Sequence, residues 1–168
     1  MTDVDLDAHA RGLMDANLYA VLGTAGADGI PWTSPVYFAT ADYAEIFWVS
    51  SPDTQHSRNL AARPELSMVI FDSTVPAYHG RAVYLSGTAT ELTGRDLDRG
   101  IEIYPGEPSR GGAALSLEDV TAPAAWRLYR ATISEASVLC PREARRPCPL
   151  HGLASDHRAP VMPWRHPA

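Results

Sequence analysis

The 168-residue sequence contains no lysine, so all 14 of its basic residues are arginines. Without lysine the chain has no amine for Schiff-base chemistry, and a site for an anion must use arginine, histidine, hydroxyl groups or backbone amides. Acidic residues outnumber basic ones, and the net charge is −6. This balance argues against a general nucleic-acid binder, which needs a basic face.

Long apolar runs are also missing, so no segment is predicted to cross a bilayer. The N-terminus, "MTDVDLDAHARG", is acidic and lacks both the basic region and the apolar stretch of a secretory signal. We therefore expect a cytoplasmic protein with no membrane partner.

Cysteine is scarce, since Cys140 and Cys148 are the only two and seven residues separate them. They form no C-x-x-C motif, and His151, His157 and His166 show no two-ligand spacing. The spacing therefore predicts no metal site. In a cytoplasmic protein we expect two free thiols, and a disulfide between them is the alternative.

The apolar pattern predicts a mostly β protein with one core. A helix is expected over residues 3–16, with Asp3 as its cap, and a second helix over Arg95–Tyr104. Alternating and compact apolar segments predict six strands: Leu18–Thr24, Trp32–Thr40, Glu45–Ser50, Leu66–Asp72, Arg81–Leu92 and Ala125–Leu139. Six short strands with two or three helices and tight turns indicate a closed β-barrel with helices packed outside it.

The last 28 residues differ from the rest of the chain. They hold six prolines and little periodicity, so they cannot form a core of their own. We predict one domain over residues 1–140, followed by a tail over residues 141–168 that wraps the domain or a dimer partner, or is partly disordered. Within the domain, the strand positions of Trp32, Trp48 and Tyr84 predict core packing.

One segment, "SSPDTQHSRNLAARP", gathers hydrogen-bond donors at the start of a short helix that follows a buried strand. A helix N-terminus offers unpaired amides and a partial positive charge, which suit a phosphate group. The side chains that add donors there are Thr54, His56, Ser57, Arg58 and Asn59. The alternative is a capped surface helix with solvated polar residues.

Three stretches, "GIPWTSPVYF", "IFWVSSPDTQHSRNLAARPELSMVIFD" and "AVYLSGTATEL", follow one another in an order and at a spacing that resemble a known family. This is the pyridoxamine 5′-phosphate oxidase-like family of flavin-binding split β-barrels, and the resemblance covers roughly residues 10 to 140. It implies a homodimer that binds FMN at the subunit interface, with both subunits contributing to each site.

The resemblance also implies roles for individual positions. Along the flavin ring it places Ser34, Pro35, Val36 and Tyr37, and beside the ribityl chain Val49, Ser50 and Ser51. Around the phosphate it places Thr54, His56, Ser57 and Arg58, with Asn59 at the same end of the helix. The family most often has a lysine where His56 stands, so Arg58 is expected to carry the main charge. Trp126 falls near the place where the partner subunit usually covers the ring. Arg158, in "SDHRAPV", lies in a short segment that resembles the one through which the true oxidases place an arginine near the cofactor, and a structural role for this segment is the alternative.

The function expected from this resemblance is an FMN-dependent oxidoreductase that acts on a small organic substrate, which the sequence does not identify. A deazaflavin-dependent reductase and a non-catalytic flavin- or heme-binding protein are the alternatives. No catalytic residue is assigned, because a flavin carries the redox chemistry and the protein binds and orients it.

Overall fold

The computed structural model describes residues 5–143 and 145–161, and these residues form eight β-strands and three α-helices. In chain order the elements are α1 (Leu6–Ala16), β1 (Tyr19–Ala25), β2 (Pro31–Tyr37), β3 (Ala39–Ala41), β4 (Glu45–Ser50), α2 (Gln55–Ala62), β5 (Glu65–Phe71), β6 (Ala82–Glu91), α3 (Gly94–Ile103), β7 (Arg127–Leu139) and β8 (Arg158–Val161). Within this part of the chain, no helix is both long enough and apolar enough to span a lipid bilayer.

All the strands belong to one antiparallel sheet with the order β2-β1-β5-β6-β7-β4-β3, and β8 pairs with the end of β7. The sheet curls until β2 and β4 lie side by side. No backbone ladder joins these two strands in the described residues, so the barrel stays open along that line, which we call the seam. The split β-barrel that the family resemblance implies is confirmed, whereas the closed barrel predicted from the strand pattern is wrong, because β2 and β4 share no ladder in the described residues.

The predicted strands are confirmed to within a few residues at their ends, with one informative difference. The expected strand Trp32–Thr40 is divided at Phe38, because residues up to Tyr37 pair with β1 and residues from Ala39 pair with β4. The Phe38 amide donates to the Leu18 carbonyl at 3.2 Å. The alternating pattern is continuous across this point, but the chain changes its partner there.

Helix α1 begins where a side chain can cap it. Asp5 is the N-cap, and its carboxylate accepts a hydrogen bond from the Ala8 amide at 3.0 Å. The predicted cap, Asp3, lies outside the described residues. Ala10 and Met14, one turn apart, face the barrel and are fully buried, which fixes the helix against the sheet.

The core fills the inside of the barrel and continues under α1. Trp48 is fully buried, as predicted, and stacks on Tyr129 with ring centroids 5.7 Å apart. The prediction for Trp32 is wrong, since this side chain is 47% exposed on β2, and Tyr84 is only half-buried. Val36 is the buried side chain that β2 contributes to the core.

The tail returns to the sheet. Residues 158–161 form β8, and Ala159 and Val161 are buried in the main core together with Cys140 and Cys148. No strand was predicted here, since four residues with an internal proline carry little strand signal. The domain boundary at residue 140 stays a prediction.

The bulge in β6 generates a test of the fold. The register of β6 against β7 shifts between Ser86 and Gly87, and a Cβ at Gly87 would overlap the carbonyl oxygen of Thr132. We expect Gly87→Ala to lower the free energy of unfolding by about 1–3 kcal/mol, as overpacking does.

The matched control is Gly12→Ala. Gly12 is exposed in α1 with nothing within 4 Å of an added Cβ, so this change should raise stability by about 0.5–1 kcal/mol. Urea unfolding of both variants is the measurement, and equal effects would contradict the described bulge.

Candidate functional site

A buried histidine lies where β2, β4 and α2 meet. The His56 ring sits in the first turn of α2, with Nδ1 3.1 Å from the Ser34 hydroxyl of β2. Its Nε2 lies 2.8 Å from the Ser50 hydroxyl of β4 and 3.1 Å from the Thr54 hydroxyl. The ring therefore bridges the seam between the two strands that share no backbone ladder.

The pKa of His56 is lowered from its ordinary value, because burial disfavours the charged imidazolium. Its three polar neighbours are hydroxyls, and each hydroxyl both donates and accepts hydrogen bonds. A neutral ring is satisfied in this setting, so His56 acts here as a neutral hydrogen-bonding bridge.

The turn between β4 and α2 arranges further hydroxyls around the start of the helix. The Thr54 hydroxyl donates to the Ser51 carbonyl at 2.9 Å and is hydrogen-bonded to the Ser57 hydroxyl at 2.8 Å. Because Thr54 is the N-cap residue but its side chain bonds elsewhere, it makes no cap bond to the first helical amides. These amides are the donors that a helix leaves without an internal partner.

The start of α2 also differs electrostatically from the other helix starts. The first turn of α1 contains Asp7 and that of α3 contains Asp96, whereas α2 has no acidic residue in its first turn. Instead, the Arg58 guanidinium folds back toward it, donating to the Asp53 carbonyl and, at 3.0 Å, to Gln55 Oε1. A cation and a helix N-terminus thus add their positive potential at one exposed place.

Asn59, predicted at the same end of the helix, has a different environment. It is buried, its Nδ2 donates to the Thr24 hydroxyl at 3.1 Å, and its Oδ1 accepts from Gln55 at 2.8 Å. The Asn59 side chain therefore uses its amide to hold α2 against β1.

The β2 residues predicted beside the flavin ring alternate between the two faces of the strand. Ser34 and Val36 point to the inside, Ser34 toward His56 and Val36 into the core. Pro35 is exposed on the other side and has no amide proton, while Tyr37 donates its hydroxyl to the Pro105 carbonyl at 2.7 Å. Pro35 therefore interrupts the series of backbone N–H donors along β2.

The remaining predicted residues lie at the two ends of the site. Val49 and Ser51 are half-buried at the end of β4. Trp126 is 53% exposed directly before β7, where Arg127 pairs with Ser50 of β4. These residues are brought to the same end of the barrel as the start of α2.

Arg158 lies on the outer face of the sheet. Its guanidinium stacks over the Tyr84 ring, 3.7 Å from the centroid. It lines a cavity of about 290 Å³ together with Thr33 of β2. Since Thr33 and Ser34 point to opposite faces of β2, Arg158 and the His56 cluster lie on opposite sides of that strand within one chain.

A second cluster was missed by the sequence analysis. The structure brings the side chains of Cys140, Cys148, His151 and His157 together at the far end of β7. A signal was present, because Cys148 and His151 are separated by two residues and His151 and His157 by five, as ligands in zinc proteins often are.

Comparison with known proteins defines the class of this chain. The family model described as "Pyridoxamine 5'-phosphate oxidase" matches residues 6–140. The chain therefore belongs to the pyridoxamine 5′-phosphate oxidase family. No curated protein sequence matches the chain significantly.

Similar solved structures share the fold at low identity. A heme-binding protein from Mycobacterium smegmatis is 15% identical with a TM-score of 0.67, and the match covers 95% of this chain and 60% of that one. HutZ, the heme storage protein of Vibrio cholerae, is 18% identical over 78% of this chain and 92% of its own, with a TM-score of 0.57. A candidate pyridoxamine 5′-phosphate oxidase from Listeria innocua is 14% identical with a TM-score of 0.59, and the match covers 80% of this chain and 98% of that one.

The buried bridge at the seam generates a pH prediction. Because the folded-state pKa of His56 is lowered, the unfolded chain binds more protons than the folded chain below about pH 6.5. Stability should therefore be highest above that pH and fall as the pH drops toward the folded-state pKa. His56→Gln keeps an amide in place of the ring, so its stability should vary less with pH over this window.

Urea unfolding at a series of pH values measures this effect. Burial also lowers the pKa of His9, which is remote in sequence, so His9→Gln is the comparison and should remove only its own share of the slope. A His56→Gln variant with the full parental slope would contradict a neutral, buried ring.

Proposed function

We propose that this chain is an FMN-dependent oxidoreductase that acts on a small organic substrate. The observation that carries the proposal is the donor set at the start of α2. There, uncapped helical amides and the exposed Arg58 guanidinium lie near the half-buried Thr54 hydroxyl, which is hydrogen-bonded to the buried Ser57 hydroxyl. The chemistry of this set fits a phosphate, and membership of the family supports a flavin as the molecule that carries it.

The electrostatics of α2 support an anion at this place. A cation beside a helix N-terminus meets a partial charge of the same sign, which is unfavourable by about 0.3–1 kcal/mol at an exposed position. An anion between Arg58 and the first-turn amides reverses the sign of both interactions. Arginine and phosphate also match in geometry, since the guanidinium donates two parallel hydrogen bonds.

Exposed apolar side chains on and near β2 support a flavin ring and a second subunit. Tyr19, Ile30, Trp32 and Trp126 are all large apolar side chains that are about half exposed or more. Tyrosine and tryptophan are enriched where proteins bind partners. We propose a homodimer in which the partner covers some of these side chains and completes the site around the ring.

In this proposal the protein binds and orients, and a bound flavin supplies hydride transfer to or from the substrate. The amides and hydroxyls at the start of α2 hold the phosphate, with Arg58 as the charged donor. His56 stays neutral and fixes the positions of Ser34 and Ser50 along the seam. The substrate is not defined by these residues.

The first test is the absorption spectrum of the purified full-length protein, followed by titration with cofactors. We expect a yellow protein with the spectrum of oxidised flavin, or apoprotein that takes up one FMN per chain. The flavin should be reduced by NADH or NADPH and reoxidised by a substrate.

Three other outcomes contradict the proposal and identify the alternatives. A colourless protein that binds a deazaflavin but not FMN indicates a deazaflavin-dependent reductase. A Soret band after addition of heme, without affinity for FMN, indicates a heme-binding protein. Bound FMN that no nicotinamide reduces and no candidate substrate reoxidises indicates a binding protein without turnover.

A second test locates the phosphate. Arg58→Ala should weaken FMN binding by about 10- to 100-fold, because a hydrogen bond to a charged group contributes about 1.5–3 kcal/mol. Binding of riboflavin, which lacks the phosphate, should be unchanged. Fluorescence titration of both ligands gives the two dissociation constants.

The matched control is Arg63→Ala, since Arg63 is the C-cap residue at the opposite end of the same helix. This variant should bind FMN like the parent protein. An equal loss of FMN and riboflavin affinity in Arg58→Ala, or no loss of either, would place the phosphate elsewhere.

A further inference from the structure

Four potential metal ligands converge where the tail leaves and rejoins the sheet. Cys140 directly follows β7, and His157 directly precedes β8. Cys148 and His151 lie in the loop between them. One ligand atom from each of the four lies within 4.8 Å of all the others.

Four of the six separations between these atoms are close to those of a tetrahedral zinc site. His151 Nδ1 lies 3.4 Å from the Cys140 sulfur, 3.5 Å from the Cys148 sulfur and 3.1 Å from His157 Nε2. With Zn–S about 2.3 Å and Zn–N about 2.0–2.1 Å, a tetrahedron requires about 3.6 Å between sulfur and nitrogen and about 3.3 Å between two nitrogens. The two sulfurs are 3.1 Å apart, and a separation of about 3.8 Å at the same bond lengths requires only a small movement.

The protonation of His157 supports ligation. Its Nδ1 lies 3.0 Å from the Ser155 carbonyl oxygen, which only accepts, so Nδ1 carries the proton. In the neutral ring Nε2 then carries no proton, and its lone pair is available to a metal ion. Nε2 is also the ring nitrogen that lies next to His151 in the cluster. A ring whose second nitrogen donates to a carbonyl is the usual arrangement of a metal-binding histidine.

Both sulfurs are protected from solvent, with Cys140 3% and Cys148 1% exposed. Two thiolates balance the charge of a divalent cation, so the complete site would be neutral.

The backbone already holds the ligand positions. The Cys140 amide donates to the His157 carbonyl at 3.0 Å, which joins the two ends of the loop. The Gly152 amide donates to the Cys148 carbonyl at 2.8 Å and closes a turn between Cys148 and His151. Gly152 has φ +68°, a left-handed conformation that glycine adopts without strain.

We propose that Cys140, Cys148, His151 and His157 bind one Zn²⁺ in a closed structural site. Two thiolates and two imidazoles in tetrahedral arrangement favour zinc over the hard cations, which prefer oxygen. Four protein ligands leave no open position, so the metal would be structural. It would fasten the tail to the end of β7 and thereby fix β8, which carries Arg158 against Tyr84.

The test begins with the metal content of the full chain, purified without a histidine tag or chelator from cells supplied with zinc. We expect about one zinc per chain by plasma mass spectrometry, as a site with four protein ligands binds a single ion. A mercurial thiol reagent should release this zinc. Cobalt substituted into the apoprotein should show the d–d bands of tetrahedral Co²⁺ together with thiolate-to-cobalt charge transfer.

Variants locate the ligands. Cys148→Ser and His151→Ala should each lose the bound zinc, while His79→Ala, which changes a histidine outside the cluster, should keep it. If the ligand variants do not fold, the cobalt spectrum of the parent protein still shows whether the cysteines bind the metal, because only cysteine ligands give the charge-transfer band.

Two results would overturn the proposal. One is a parent protein that holds no zinc after growth with zinc and takes up neither zinc nor cobalt when reduced. The other is a disulfide between Cys140 and Cys148 in protein purified and kept under reducing conditions, since a disulfide removes both thiolates.

Discussion

The open seam between β2 and β4 is the constraint on which the rest of the molecule depends. These strands lie side by side, and no backbone ladder joins them in the described residues. The His56 ring links them by contacting a serine hydroxyl on each strand. The ring is held in place because α2 follows β4 through a short turn, because Leu60 of α2 packs into the core, and because Asn59 attaches the helix to β1.

The same constraint explains why the candidate cofactor site lies where it does. A helix that starts at the seam must place its unpaired amides at the mouth of the barrel. Thr54 uses its hydroxyl on the preceding turn instead of on these amides, and the absence of an acidic residue in the first turn leaves their potential positive. The proposed phosphate site is thus a consequence of how the seam is closed.

The far end of β7 is organised independently of this site. There the chain leaves the sheet after Cys140, makes a loop that contains little regular structure, and returns as β8. A loop of this kind buries few apolar side chains, although Ala159 and Val161 beyond it enter the core. The Cys–His cluster is the feature that the described loop shares with small domains, which gain stability from metal ligation when apolar burial is limited.

The sequence by itself determined the local elements and the family. Alternation of apolar residues locates the core strands because the side-chain period of a strand is two, and the stretch from Ser50 to Arg58 identifies a helix start rich in donors. The tertiary structure decided which of these donors remain available. Asn59 and Arg58 are neighbours in sequence, yet Asn59 is committed to Thr24 and Arg58 faces solvent, because a helix turns successive residues by about 100°. The partner change at Phe38 and the pairing of β8 also depend on contacts between distant segments, which no local pattern encodes. The spacing of Cys148, His151 and His157 signals part of the Cys–His cluster, but the tertiary structure decided that Cys140 joins it.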